Sequence, residues 1–198
     1  MLLISIVFVV SSFLHESSTL AQEGRLSMQW LSQDQRAVSI ASTLGVDEAK
    51  RCLDAGLELE HRFLLKFCEK VNRFGTSCED TRRVVHNFSF DPIQELYRVV
   101  KDRLGDIDDP ERFTYDQFSD ALNDTTKILS IDLPYIGGEE AYSRFAQHLG
   151  EFNLGVRVRT TCKGNVPEFL VDLSYFFTFG LVDLYGQDTG WEYFDLTG

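Results

Sequence analysis

The residues from Asp47 to Phe74 read DEAKRCLDAGLELEHRFLLKFCEKVNRF, the most regular apolar pattern in a chain of 198 residues. Apolar side chains recur there mainly at steps of three or four residues, at Leu53, Leu57, Leu64, Phe67, Cys68 and Val71. That spacing is typical of one face of an α-helix. The pattern predicts a long helix over residues 47–73, with Asp47 as its N-cap and Gly56 as its weakest point.

Similar spacing on both sides of this segment predicts further helices. They are expected over residues 26–43, 77–86, 92–104, 115–128 and 141–149. Thr114 and Gln117 fit a capping box at the start of one of them. Only Val156-Arg157-Val158-Arg159 alternates as a strand does, so a short β element is expected near 156–162. The sequence therefore predicts a mainly α protein, a single-domain irregular helical bundle stapled by two disulfides.

The N-terminus has the layout of a secretory signal peptide. Ser5 is the one polar residue between Leu2 and Val10, and Thr19-Leu20-Ala21 places small residues around a cleavage point. The apolar run is shorter than the ~20 residues that a membrane-spanning helix needs. We therefore expect a signal peptide over residues 1–21, one secreted helical domain over residues 22–198, and no membrane span.

Four cysteines, an even number, fit a disulfide-bonded protein in an oxidising compartment. On one helix, Cys52 and Cys68 would lie about 24 Å apart, too far for a disulfide. Cys68 and Cys78 can meet across a helical hairpin, which leaves Cys52 for Cys162. A break of the helix at Gly56 would instead let Cys52 approach Cys78.

Two sequons predict N-glycosylation, which agrees with secretion. They are Asn87-Phe88-Ser89 and Asn123-Asp124-Thr125. Glycosylation at both sites is expected if Asn87 lies at a helix exit and Asn123 on an exposed polar stretch.

No pattern points to a particular catalytic, cofactor-binding or metal-binding residue. The chain lacks the spacings of zinc sites, of a phosphate-binding loop and of a serine-hydrolase elbow. Glu58, Glu60 and His61 are interpreted as a solvated edge of the long helix. The stretch Asp106–Gln117 has two acids placed as in an EF-hand, but Pro110, Glu111 and Gln117 stand where that loop needs other residues.

Charge restricts the class of partner. The formal net charge is −12, which argues against nucleic-acid binding because that requires a basic surface. The sequence favours a secreted, glycosylated binding protein without catalysis, first of all an extracellular protein-interaction module. A carrier of a small apolar ligand or lipid and a small extracellular enzyme are the alternatives. Residues 167–185, rich in Phe and Leu, are either buried core or an exposed interface.

Overall fold

In the computed structural model the chain is built mainly from antiparallel β-strands, so the predicted helical bundle is wrong. The structure describes residues 26–31, 36–72, 75–103, 110–148, 150–163 and 186–196. The expected signal peptide at 1–21 and the apolar segment 167–185 lie outside these residues.

The described residues form eleven strands and three helices. In chain order these are β1 Leu26–Trp30, β2 Ala37–Ser42, α1 Val46–Asp54, β3 Glu58–Asn72, β4 Gly75–Cys78, β5 Arg82–Asp91, β6 Leu96–Arg103, β7 Glu111–Tyr115, α2 Phe118–Thr125, β8 Lys127–Asp132, α3 Leu133–Gln147, β9 Phe152–Lys163, β10 Gly186–Asp188 and β11 Glu192–Asp195. The strand expected near 156–162 is the middle of the longer β9.

The strands make two antiparallel sheets. The larger sheet has the order β10-β9-β3-β5-β6-β7, and its central strand β3 pairs with β9 along twelve residues. In addition, β11 pairs with β9 and β4 pairs with β3. The smaller sheet has the order β1-β2-β8. The long-range pairings are those of β2 with β8 and of β3 with β9.

Alternation along β3 explains why this segment is a strand. Leu59, His61, Phe63, Leu65 and Phe67 are each at most 1% exposed, so every second side chain points to the same buried face. We call this face of the larger sheet its inner face. The helical spacing at Leu57, Leu64 and Phe67 coexists with this period of two, and pairing with β9 and β5 selects the strand.

The predicted helix over 47–73 is therefore correct only in its first third. Helix α1 ends at Asp54, and Gly56 takes a left-handed backbone with φ of 71° before β3 begins. Glycine adopts this conformation without the steric cost of a Cβ atom. The weakest point of the expected helix is thus where the chain turns from helix to strand.

Other predicted helices are also strands. Within 26–43 the described residues form β1 and β2, residues 77–86 lie mostly in β4 and β5, and residues 92–103 contain a turn followed by β6. Thr114 belongs to β7 rather than to a capping box, and the following helix begins at Phe118 with Gln117 as N-cap. The helix expected over 141–149 exists as part of the longer α3.

Two apolar clusters cover the inner face. The first packs α3 and the smaller sheet against β3, β5 and β9, with Phe63, Phe67, Phe145 and Phe152 among its members. The second packs α1 and α2 against the opposite half of the face, around Leu59, Phe88 and Val99. A band of polar side chains lies between them.

Two disulfides cross-link elements of this structure. Cys52 of α1 is bonded to Cys162 of β9, with the Cα atoms 5.7 Å apart. Cys68 and Cys78 lie directly opposite each other on β3 and β4 and are also bonded. These are the two pairs expected from the sequence, but the geometry that led to them, one long helix, is wrong.

Candidate functional site

A row of polar residues crosses the inner face from strand to strand. Thr160, His61, His86 and Lys101 stand on β9, β3, β5 and β6, each directly opposite the next. All four are buried, and Glu111 of β7 continues the row at an exposed position. Because Phe63 and Leu59 flank His61 on its strand, this row separates the two apolar clusters.

His61 is the most enclosed member of the row. Its side chain is fully buried, and neither ring nitrogen has a hydrogen-bond partner. Burial, together with the neighbouring His86, lowers the pKa of His61 to about 3, so the ring is neutral near pH 7. The Thr160 hydroxyl opposite also has no hydrogen-bond partner.

His86 connects the row to α2. Its Nδ1 lies 2.8 Å from the carbonyl oxygen of Thr125, so Nδ1–H donates to that oxygen. The hydroxyl groups of Thr125 and Thr126 bond back to Ala121 and Leu122 where α2 ends. These contacts hold the end of α2 over the sheet and place Asp124 beside Lys101.

A cleft of about 760 Å³ opens at this end of the row. It lies between β5, β6 and β7 on one side and β8 with the first turn of α3 on the other. Three large hydrophobic side chains that line it, Phe113, Leu129 and Tyr135, are 38%, 60% and 46% exposed. They are three of eight such side chains in the described residues, so exposed apolar surface is concentrated here.

A buried ion pair forms part of the cleft wall. Lys101 Nζ lies 2.5 Å from Asp124 Oδ1, and the two side chains are only 7% and 12% exposed. The same ammonium group lies 5.1 Å from the centre of the Phe113 ring. The second carboxylate oxygen, Asp124 Oδ2, is buried without a hydrogen-bond partner.

Tyr115 lies beside this pair. Burial, a hydrogen bond to the Asp124 carboxylate and the negative charge of that group raise the pKa of Tyr115 to about 12. The side chain is therefore a neutral phenol at physiological pH. Together these groups offer hydrogen bonds, one buried ion pair and aromatic surface.

The described residues contain no group of three or more His, Cys, Asp or Glu side chains arranged for a metal ion. No helix in the described ranges is long and apolar enough to cross a membrane. The Asp106–Gln117 stretch is described only from Pro110 onward, and its residues 111–115 form β7.

The two sequon asparagines lie in different environments. Asn123 is exposed on α2. Asn87 lies inside β5, between Glu60 and Val100 of the neighbouring strands, and its Oδ1 atom is buried. The expected helix exit at Asn87 is therefore wrong, whereas glycosylation of either residue stays a prediction.

The sequence did not identify the residues of the cleft. Glu60 and His61 were expected on a solvated edge, but both are buried, at 5% and 0% exposure. The sequence signal was that apolar residues stand two positions before and after His61 and, in the same way, at Val84 and Phe88 around His86. A polar residue within an inward-facing series indicates a buried polar site.

Comparison of the chain with protein-family models, with curated proteins and with solved structures found no match. The functional argument therefore depends on the geometry of the cleft.

Proposed function

We propose that this is an extracellular, non-catalytic binding protein that takes up one small molecule with an apolar body in the cleft between β7 and β8. The observation that carries the proposal is a cleft of about 760 Å³ that collects exposed apolar side chains. Pockets for small ligands typically measure about 300–1,000 Å³ and combine apolar walls with a few polar groups.

The extracellular location has separate support. The first 21 residues have the pattern of a signal peptide, and two disulfides join the cysteines. Two sequons agree with passage through a glycosylating compartment.

A small ligand is favoured over a protein partner by where the apolar side chains lie. Outside the cleft, the exposed large hydrophobic side chains of the described residues are dispersed, as Leu31, Val46, Phe90, Ile93 and Tyr193. Single exposed hydrophobic residues are common on soluble proteins and do not form an interface by themselves.

A binding role is also favoured over catalysis. Lys101 and Asp124 neutralise each other, and a Tyr115 pKa of about 12 makes the phenol a poor base near pH 7. Lys101, Asp124 and Tyr115 therefore supply neither an activated nucleophile nor a general base near pH 7.

A neutral fluorescent probe, N-phenyl-1-naphthylamine, tests the proposal. We expect saturable binding of one probe per chain. The variant Leu129→Ser/Tyr135→Ser removes two exposed apolar side chains from the cleft and should weaken binding by about tenfold or more.

Ile93→Ser/Tyr193→Ser is the matched control, because these side chains are also exposed but lie outside the cleft. It should bind the probe as the natural chain does. Absence of saturable binding, or equal weakening in both variants, would overturn the proposed function.

A further inference from the structure

Strand β8 presents a backbone edge to the cleft. All six of its residues, 127–132, line the cleft, although successive side chains of a strand point to opposite faces. The cleft therefore runs along the backbone of β8 rather than over one of its faces. Among the described residues β8 pairs with β2 alone, so its second edge has no partner strand there.

The hydrogen bonds to β2 determine which backbone groups of β8 point away from it. Thr126 and Leu133, which flank β8, are hydrogen-bonded to the last residue of β2 and to the residue before β2. The register shifts once between them, so each end of β8 is fixed by its own hydrogen bond. Directly opposed residues of an antiparallel pair alternate between bonded and non-bonded positions. The N–H and C=O groups of Lys127 and Asp132, next to the bonded positions, therefore point away from β2.

The cleft lies where a further strand of the smaller sheet would lie. The apolar cluster between the two sheets takes buried side chains from β3, β5 and β9 and, among the described residues, none from β6 or β7. Beyond β8, Glu111 and Phe113 on the inner face of β7 are exposed and line the cleft. A strand added to β8 would lie about 4.8 Å from it and would cover this part of the face.

A peptide in extended conformation matches this edge. Its backbone offers N–H and C=O groups along one side at the spacing of a strand, and strand addition to an open sheet edge is a general mode of peptide recognition. The six residues of β8 span about 20 Å, so a peptide of about six residues covers the edge. Every second side chain of that peptide would point toward the inner face at Phe113.

We propose that the ligand of this cleft is a short extended peptide that pairs with β8 as a fourth strand of the smaller sheet and directs alternate apolar side chains toward Phe113. This inference rests on the proposed function, and it adds the chemical class of the ligand. Backbone hydrogen bonds supply affinity, and the apolar wall selects the side chains at alternate positions.

The hexapeptide acetyl-KVTVTV-amide, with valine at every second position, tests the pairing. It is titrated against N-phenyl-1-naphthylamine bound to the natural chain and should displace this probe saturably. Two further copies carry N-methyl groups, one on the valine nitrogens and one on the other backbone nitrogens of the peptide. Because N–H groups of successive residues point to opposite edges of a strand, one copy should bind at least about tenfold more weakly than the parent peptide and the other about as tightly.

Amide hydrogen exchange, measured by NMR, locates the edge that pairs. With the parent peptide bound, the N–H groups of Lys127 and Asp132 should exchange at least about tenfold more slowly. Those of Ile128 and Ile131 are the internal comparison, because the alternation directs them toward β2, and they should be protected with or without the peptide. The probe has no peptide backbone and should slow the exchange of Lys127 and Asp132 much less.

A variant of the opposite wall tests the side-chain contacts. Phe113→Ser should weaken binding of the parent peptide by about fivefold or more, because it removes apolar surface from β7. Ile93→Ser is the matched control, because Ile93 is exposed and lies outside the cleft, and it should bind the peptide as the natural chain does.

The two proposals fail in different ways. If the probe binds saturably but the peptide does not displace it, or the two methylated copies bind equally, the peptide inference is overturned and the binding function stands. Peptide binding without slower exchange at Lys127 and Asp132, or equal binding by Phe113→Ser and the natural chain, has the same consequence. If the probe does not bind at all, the proposed function fails, and the inference fails with it.

Discussion

At the scale of single residues, His61 stands out among the described side chains because both of its ring nitrogens are buried without a hydrogen-bond partner. Its ring lies 4.9 Å from Phe63 and faces His86 on one neighbouring strand and Thr160 on the other. Neither ring nitrogen finds a partner, so the native state holds the ring in its neutral form. The unfolded chain binds a proton at His61 near pH 6.5, whereas the folded chain does so only near pH 3.

This difference predicts a pH-dependent stability. Between these two pKa values the unfolded state binds more protons than the folded state. The contribution of His61 to the free energy of unfolding is therefore constant above about pH 6.5 and becomes less favourable to folding as the pH is lowered toward 3. His61→Leu should remove up to about 1.4 kcal/mol per pH unit of this dependence. At pH 7 it should be at least as stable as the natural chain, because it buries no unpaired nitrogen.

Urea unfolding at pH 7, 6, 5 and 4 measures the effect. His148→Gln is the control, because His148 is exposed at the end of α3. Parallel curves for the natural chain and His61→Leu across this range would contradict the assignment of His61 as a neutral buried ring.

Sequence reasoning reached the residues of this site only in part. It recognised that Cys52 and Cys162 pair, although through a wrong helix, and it placed His61 on a solvated edge. Asp124 was noted only as the middle residue of a sequon. Its ion-pair partner Lys101 is 40 positions from His61 and 59 positions from Thr160, yet the three stand in one row across the sheet. Long-range strand register therefore decides which polar groups meet.

At the scale of elements, the position of α1 depends on two glycines with left-handed backbones, one at each end. Gly45 precedes the helix with φ of 77°, and its N–H donates to Gln187 Oε1. A Cβ atom there would lie 2.7 Å from Thr160 Cγ2. Gly56 follows the helix with φ of 71°, and a Cβ atom there would have no neighbour within 4 Å.

Substitution of alanine for these two glycines should lower the free energy of unfolding by different amounts. Gly56→Ala should lower the free energy of unfolding by about 1–2 kcal/mol, the cost of a left-handed backbone alone. Gly45→Ala should cost at least about 1 kcal/mol more, because the added methyl group also collides with Thr160. Thermal and urea unfolding of both variants compare the costs, and equal losses would contradict the close contact between α1 and β9.

The elements also show why the fold was mispredicted. In residues 59–67, helical spacing and strict alternation coexist, and local pattern alone does not choose between them. The choice is made by β9, which is about ninety residues away along the chain and pairs with the whole segment. Where no such partner competes, as in α3, the predicted helix is present.

At the scale of the whole molecule, the two sheets and three helices of the described residues border a cleft of about 760 Å³ between β7 and β8. One wall, β8, pairs with the distant β2, whereas the other, β7, pairs with its chain neighbour β6, so the two walls belong to different sheets.

Two-dimensional NMR of the disulfide-bonded protein, titrated with N-phenyl-1-naphthylamine, tests the central claim most directly. We predict saturable shifts of backbone amides that concentrate in β7, β8 and the first turn of α3. A smaller depression of about 550 Å³ lined by Phe90, Tyr97 and Phe118 provides the internal comparison. Shifts centred on that depression, or shifts that do not saturate, would contradict a ligand site in the cleft between β7 and β8.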